Sequence, residues 1–327
     1  HSAASAQMVM KSWDRQKWRK AKRQKKQKGP NGAAFTSSMG PVIATAVSLG
    51  EDGHGNNTIY RGIVVRLDKT GDTCVLFDAD TMRLAGGWTD GSLVLAGLPF
   101  TAGHGAYPSV RGDKVFQVSA RPGWAQAGKL ADPRAGAYPP LGHLPKDWAH
   151  YKGLYMSGDR VVLKYTVGKS EVWETPSLAA GAGKSIMRSL RIQQDGSAMT
   201  MVLADAAANS RIDSSSAAAG GDLLGNAVAV LGDGESLTMV GARSSSGGAL
   251  KIRDGVLTLD LPAAKGVTNV QVMYSRQSSA TTDSFVASFK AQPMKSDVMS
   301  LTKGGAARWP NVIKTAGVMA PAALAAK

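Results

Sequence analysis

The stretch Thr58-Ile59-Tyr60-Arg61-Gly62-Ile63-Val64-Val65-Arg66-Leu67-Asp68-Lys69-Thr70-Gly71-Asp72-Thr73-Cys74-Val75-Leu76-Phe77 decides the fold. Residues 59–67 hold Ile63-Val64-Val65 and read as a buried strand, because β-branched side chains suit a pleated surface. Asp68-Lys69-Thr70-Gly71-Asp72 is turn chemistry, and residues 73–77 return. The whole reads as a β-hairpin. Cys74, the chain's one cysteine, lies in the apolar run Cys74-Val75-Leu76-Phe77 and reads as a small buried hydrophobe. A lone cysteine forms no internal disulfide and no Cys-based metal site.

Outward from this hairpin the same pattern recurs. Strands are expected at residues 41–47, 92–95, 153–157, 160–167, 170–174, 185–193, 199–203, 227–231, 236–240, 250–253, 256–261, 269–275 and 285–289. Asp254-Gly255 and Gly232-Asp233-Gly234 are hairpin-type turns. The fold class is therefore all-β and antiparallel β-sandwich-like, with a β-propeller-like arrangement as the alternative. Helix should stay below about a fifth of the folded body, against the usual third or so. Residues 100–152 are rich in Gly and Pro and read as a long loop. That loop should be ordered, since Tyr107, Phe116, Trp124, Tyr138, Trp148 and Tyr151 offer apolar area to bury. Residues 204–221, an Ala/Ser stretch, also read as loop. The organisation expected is a basic N-terminal arm (1–35), a β domain with a long loop (36–177), a second β region of the same or another domain (184–290) and a tail (291–327).

The net charge is +15, but ten Lys or Arg against one acid between Lys11 and Lys28 account for +9 of it and leave +6 for the rest. The arm carries Lys11, Trp13, Arg15, Lys17, Trp18, Arg19, Lys20, Lys22, Arg23, Lys25, Lys26 and Lys28. Its residue types favour a helix, yet so many like charges oppose one until a partner neutralises them. Phosphates and bases, an anionic membrane surface and an acidic protein all fit such an arm. A protein partner is preferred. No run of about 18 apolar residues suggests a transmembrane helix. His1-Ser2-Ala3-Ala4-Ser5-Ala6 is compatible with the new start left by a signal peptidase.

Several motifs form an ordered series: Phe77-Asp78-Ala79-Asp80-Thr81-Met82-Arg83-Leu84-Ala85-Gly86-Gly87-Trp88, Pro122-Gly123-Trp124-Ala125, Leu144-Pro145-Lys146-Asp147-Trp148-Ala149-His150-Tyr151, Gly158-Asp159-Arg160-Val161-Val162-Leu163 and Gly304-Gly305-Ala306-Ala307-Arg308-Trp309-Pro310. Over roughly residues 38 to 315 the chain resembles an uncharacterised N-terminal domain of large exported bacterial proteins, often linked to c-type cytochrome modules. The resemblance implies an extracytoplasmic place, in the periplasm or cell envelope after signal-peptide removal. It implies no chemistry. Such proteins usually continue further and lack a basic arm, which implies that this copy works as a separate subunit. The chain lacks Cys-x-x-Cys-His, so it carries no covalent haem itself, and any haem c would sit on a partner.

Three constellations remain. His104, Asp147 and His150 offer two imidazoles and a carboxylate, a common metal set; the competing reading is that Asp147 caps a turn while Trp148, Tyr151 and Tyr155 pack the core. Asp78 and Asp80 alternate on a possible strand and could bind Ca²⁺ or serve acid/base chemistry, but a turn using both as local acceptors is favoured. Ala180-Gly181-Ala182-Gly183-Lys184-Ser185 mimics the end of a phosphate loop, yet the required first Gly is Leu178, and no buried strand is expected before it. The function expected is a non-catalytic structural or binding subunit of an extracytoplasmic envelope assembly associated with a c-type cytochrome. A carbohydrate-binding or carbohydrate-active module is the alternative, with Trp88, Trp124, Trp148 and Trp173 as platforms.

Overall fold

The computed structural model describes residues 33–51, 56–101, 107–132, 134, 142–213, 227–232, 237–277, 282–293 and 297–303. Residues 1–32 of the arm, His104, Tyr138 and most of the tail lie outside them, and Phe35 at the arm's end packs in the barrel. Among the described residues 57% are strand and 8% helix.

The opening hairpin is real. β2 (Asn56–Arg66) pairs antiparallel with β3 (Cys74–Asp78), Ile63 opposite Phe77 and Val65 opposite Val75. Asp68 organises the connection: its Oδ1 accepts from the amides of Gly71 at 2.6 Å and Asp72 at 3.1 Å. Gly71 has φ +88°, and a Cβ there would meet the carbonyl oxygen of Phe35 at 2.8 Å, so the turn requires glycine.

β1 (Val42–Glu51), β2, β3, β4 (Arg83–Val94) and β5 (Ser109–Gln117) form a closed barrel. With an odd number of alternating strands, first and last run the same way, and β1 accordingly pairs parallel with β5 at Ser48 and Ser109. Register shifts between β4 and β5, with Val115 of β5 extra at Gly87/Trp88 and one of Asp90-Gly91 of β4 extra at Thr89/Ser92, bend the wall toward closure. The apolar run of β3 now has its cause. Cys74 and Leu76 point into the barrel with Val64, Trp88 and Phe35, while Val75 and Phe77 point outward into a second core. Burial pushes the Cys74 thiol pKa far above its ordinary range, as its reading as an inert hydrophobe requires.

β6 (Ala149–Ser157), β7 (Arg160–Val167), β8 (Ser170–Leu178), β9 (Ile186–Asp195), β10 (Met199–Asp205), β11 (Arg211–Asp213), β12 (Val228–Leu231), β13 (Leu237–Ser244), β14 (Ala249–Arg253), β15 (Val256–Leu261) and β16 (Lys265–Gln277) build the rest. An eight-stranded sheet runs β11-β12-β13-β16-β9-β8-β7-β6, and a three-stranded sheet runs β10-β15-β14. The large sheet draws strands from both sides of residues 177–184. Its inner face packs on the small sheet and on the outside of the barrel through one continuous core that includes Tyr165, Val172, Leu190, Val272, Met201, Leu259 and Phe77. Phe116 of the barrel stacks on Tyr274 of the large sheet at 4.1 Å between centroids. The architecture is therefore sandwich-like with a fused barrel, and it is not a propeller.

Four expectations are corrected. Of residues 92–95, the first three are only the end of a twelve-residue β4, and Leu95 lies beyond it. The supposed long loop 100–152 contains β5, whose exposed Arg111-Gly112-Asp113-Lys114 breaks the apolar pattern on the solvent side. The stretch 204–221 contains the end of β10 and all of β11. Residues 285–289 are helix: after α1 (Leu98–Thr101), α2 (Asp283–Lys290) lays Phe285, Val286 and Phe289 on Met187, Met239 and Met273 of the outer sheet face. Period alone cannot separate helix from strand in so short an apolar run. Gly241 allows this contact, since a Cβ there would come within 2.9 Å of the Phe285 ring.

The segment after α2 is tied to its own sheet. Gln292 exchanges hydrogen bonds with the backbone of Ala180, 2.9 Å from its amide and 2.8 Å from its carbonyl. Buried Arg243 donates to Gln271 at 2.7 Å and to the Gln292 carbonyl.

Candidate functional site

The tight turn from β3 to β4 gathers charge on the barrel's flank. Asp78 ends β3, and its Oδ1 accepts the Asp80 amide at 2.9 Å. Its Oδ2 accepts from Thr81 Oγ1 at 2.8 Å and Arg83 Nε at 3.2 Å. The turn reading of Asp78 is thus borne out. Asp80, in the turn rather than on a strand, is also buried: its Oδ1 accepts from Arg61 at 3.1 Å and lies 3.1 Å from His143 Nδ1.

Arg83 is buried and fully engaged. It donates to Asp78, to the Val118 carbonyl at 2.7 Å and to Asn57 Oδ1 at 3.0 Å. Arg134 grips Asp132 through Nε at 2.9 and 3.0 Å and donates Nη1 to the carbonyls of Gly142 and His143 at 2.8 Å. The Asp132 contact, with the nearby Asp80 and Asp78, raises the Arg134 pKa above its ordinary value.

Asp78, Asp80, Thr81, Arg83, Asp132 and Arg134 line a cleft together with Thr58, Tyr60 and Arg121. Its cavity volume is about 40 Å³. Arg121 differs from its neighbours: its Nε is buried and meets no acceptor among the described residues. At the rim Tyr60 and Tyr107 meet edge to face at 6.0 Å between centroids. They are 48% and 43% exposed, so their rings are available at the surface.

The metal set was expected at His104, Asp147 and His150. His104 lies outside the described residues. Asp147 is exposed in a turn closed by the Pro145 carbonyl, which accepts from Trp148 N at 2.9 Å and Ala149 N at 3.1 Å. His150 is the second residue of β6; partial desolvation, then the charges of Lys152 and Lys146, lower its pKa. Among the described residues no group of three or more His, Cys, Asp or Glu is placed to hold a metal. Trp148 is buried and donates Nε1 to the Trp124 carbonyl at 3.1 Å. Tyr151 is half-buried against the core, and Tyr155, expected inside, is exposed.

The Ala180–Ser185 segment connects β8 to β9. A buried strand does precede it, contrary to expectation, but a strand and not a helix follows, and the Ala180 amide is already bound to Gln292. It thus lacks the helix N-terminus that holds phosphate in such loops. Lys184 pairs with Asp90 across a wider groove at the seam of barrel and large sheet. Trp88, Trp124, Trp148 and Trp173 are all interior, the most exposed being Trp173 at 7%. None presents the platform that the carbohydrate reading needed.

Sequence reasoning reached Asp78 and Asp80 but missed Arg61, Arg83, Arg121, Asp132, Arg134, His143 and the tyrosine rim. No local spacing announces residues that meet only when β2, the β3–β4 turn and the segments after β5 converge. Residues 75–174 match the model of a domain of unknown function (DUF6797). That stretch runs from β3 into β8 and takes in the cleft's three aspartates and Arg83, Arg121 and Arg134. The match carries no link to cytochrome modules or to large exported proteins. No curated protein matches the chain.

Proposed function

We propose that the chain is a non-catalytic structural or binding subunit of an extracytoplasmic envelope assembly. The observation that supports this most is the commitment of its large polar and aromatic side chains to architecture. The four tryptophans pack the interior, and Asp78, Asp132 and Glu174 are each held by an arginine. A glycan-binding sheet would instead set such rings in a solvent-facing row, as amphipathic aromatics do at binding surfaces. The residue resemblance is what supports the envelope location and an association with a c-type cytochrome carrying haem c on the partner.

The basic arm, Lys11 to Lys28, is the proposed electrostatic contact with an acidic partner. Exposed charges are screened within about 8 Å at physiological ionic strength, so the contact should weaken with salt. The experiment is purification of the native assembly with the full chain and with a chain lacking residues 1–30, at low and high salt, with haem staining of the co-purifying bands. The expected result is recovery of partners with the full chain at low salt, weakened at high salt, and loss of partners from the shortened chain at both. Equal recovery from both chains at both salts would contradict the role of the arm, and recovery of the full chain alone would contradict the subunit reading.

A further inference from the structure

We propose that the cleft around Arg121 is a dock for a carboxylate presented by an acidic segment of a protein partner, an assignment that rests on the binding-subunit reading above. Charge pairing carries it. Asp78 is held by Arg83, Asp132 by Arg134 and Asp80 by Arg61. Three aspartates are matched by three arginines, and Arg121 is the fourth cation. Its buried Nε–H lacks an acceptor among the described residues. The same guanidinium lines the cleft with no carboxylate paired to it among the described residues, so the site favours a ligand that supplies one.

The size and sign of the cleft narrow the ligand. A carboxylate is small enough to enter a cleft of about 40 Å³. The planar fork of guanidinium matches a carboxylate in shape. A phosphate dianion would bring a second charge toward Asp78, Asp80 and Asp132, whereas one carboxylate neutralises only the surplus. The exposed Tyr60–Tyr107 pair gives the rim the rigid aromatic contact typical of protein interfaces.

The test uses the full chain, ¹⁵N-labelled, at fixed ionic strength, with the Arg121 Nε–H resonance assigned through Arg121→Lys. Acetate, inorganic phosphate and glucuronate are titrated separately, followed by a neutral peptide bearing one Glu and its Gln twin. Acetate should shift the Arg121 signal saturably, and the Glu peptide should bind about tenfold tighter than its twin, an advantage lost in Arg121→Gln. Arg121→Lys, which keeps the charge and loses the fork, should retain part of the advantage; it also serves if Arg121→Gln fails to fold. No saturable shift with acetate overturns the proposal. So does tighter binding of phosphate or glucuronate than of acetate, or equal affinity for the two peptides. The assembly purification above does not depend on Arg121, so a chain that co-purifies with partners but ignores acetate overturns the cleft alone.

Discussion

Two clusters in this molecule use the same ingredients, arginine, carboxylate and tyrosine, and reach opposite ends. Under the large sheet, Glu174 accepts from Arg188 at 2.7 Å and from Tyr165 at 2.8 Å, Arg188 donates to Tyr274 at 3.2 Å, and Tyr274 donates to the Leu203 carbonyl at 3.2 Å. Arg188 and Glu174 are 1% and 0% exposed, so water reaches neither. Burial works to lower the Arg188 pKa, but Glu174 outweighs it and the guanidinium stays charged. Burial, reinforced by Glu174, holds the Tyr165 hydroxyl protonated. Every charge there has its counter-charge. On the barrel's flank the pairing runs one acid short, and the surplus arginine lines an open cleft. The closed cluster fixes how strands meet; the open one retains capacity for a ligand.

This contrast can be broken by mutation. The largest effect is expected for Arg188→Met, which strands Glu174 as an uncompensated buried charge and should cost about 3–5 kcal/mol of unfolding free energy in denaturant titration. Adding Glu174→Gln should recover much of that loss, because removal of both charges from a buried pair is often nearly neutral. If the double variant is as unstable as the single, the pair is more than mutual compensation. Trp148→Ala should cost nearly as much, about 3–5 kcal/mol, since the ring is 2% exposed and its indole N–H is bound to Trp124.

A smaller and pH-dependent effect belongs to Asp260 of β15. Burial opposes its ionisation, but Lys251, Thr200 and Arg253 outweigh burial and lower its pKa below the usual value of 3.8. A depressed carboxylate stabilises the fold above its unfolded pKa, and that contribution disappears as pH falls through the folded one. Asp260→Asn should therefore lower the urea midpoint at pH 6 and converge on the wild type as pH drops well below 4. A difference that persists unchanged at low pH would contradict the ionic origin. The smallest change is expected for Arg121→Gln in the free protein, within about 0.5 kcal/mol, because that side chain has no acceptor to lose.

The strands that the sequence revealed best are those buried on both faces or bounded by turn residues. Ile63-Val64-Val65 and Cys74-Val75-Leu76-Phe77 were legible because barrel interior and outer core bury alternate residues of one continuous run. The five-stranded closure was not legible. It depends on β5, whose solvent face carries Arg111, Asp113 and Lys114, and on a single parallel pairing that no local pattern encodes. α2 was misread because Phe285 and Phe289 flank a run too short to show a period. At the candidate site, Asp78 was visible as a turn acceptor, whereas Asp80 takes its partners, Arg61 and His143, from distant segments. The arginines were not, since a guanidinium's partner is set by tertiary approach: Arg83 reaches Val118 and Asn57, far away in sequence.

The distinction between the closed and the open cluster is tested most directly by thermal unfolding with increasing sodium acetate, ionic strength held constant with chloride, for the wild type and Arg121→Gln. A ligand bound only by the folded state raises Tm in proportion to its occupancy. The account predicts a saturable rise for the wild type and none for Arg121→Gln. Equal rises in both proteins, or no rise in either, would contradict it.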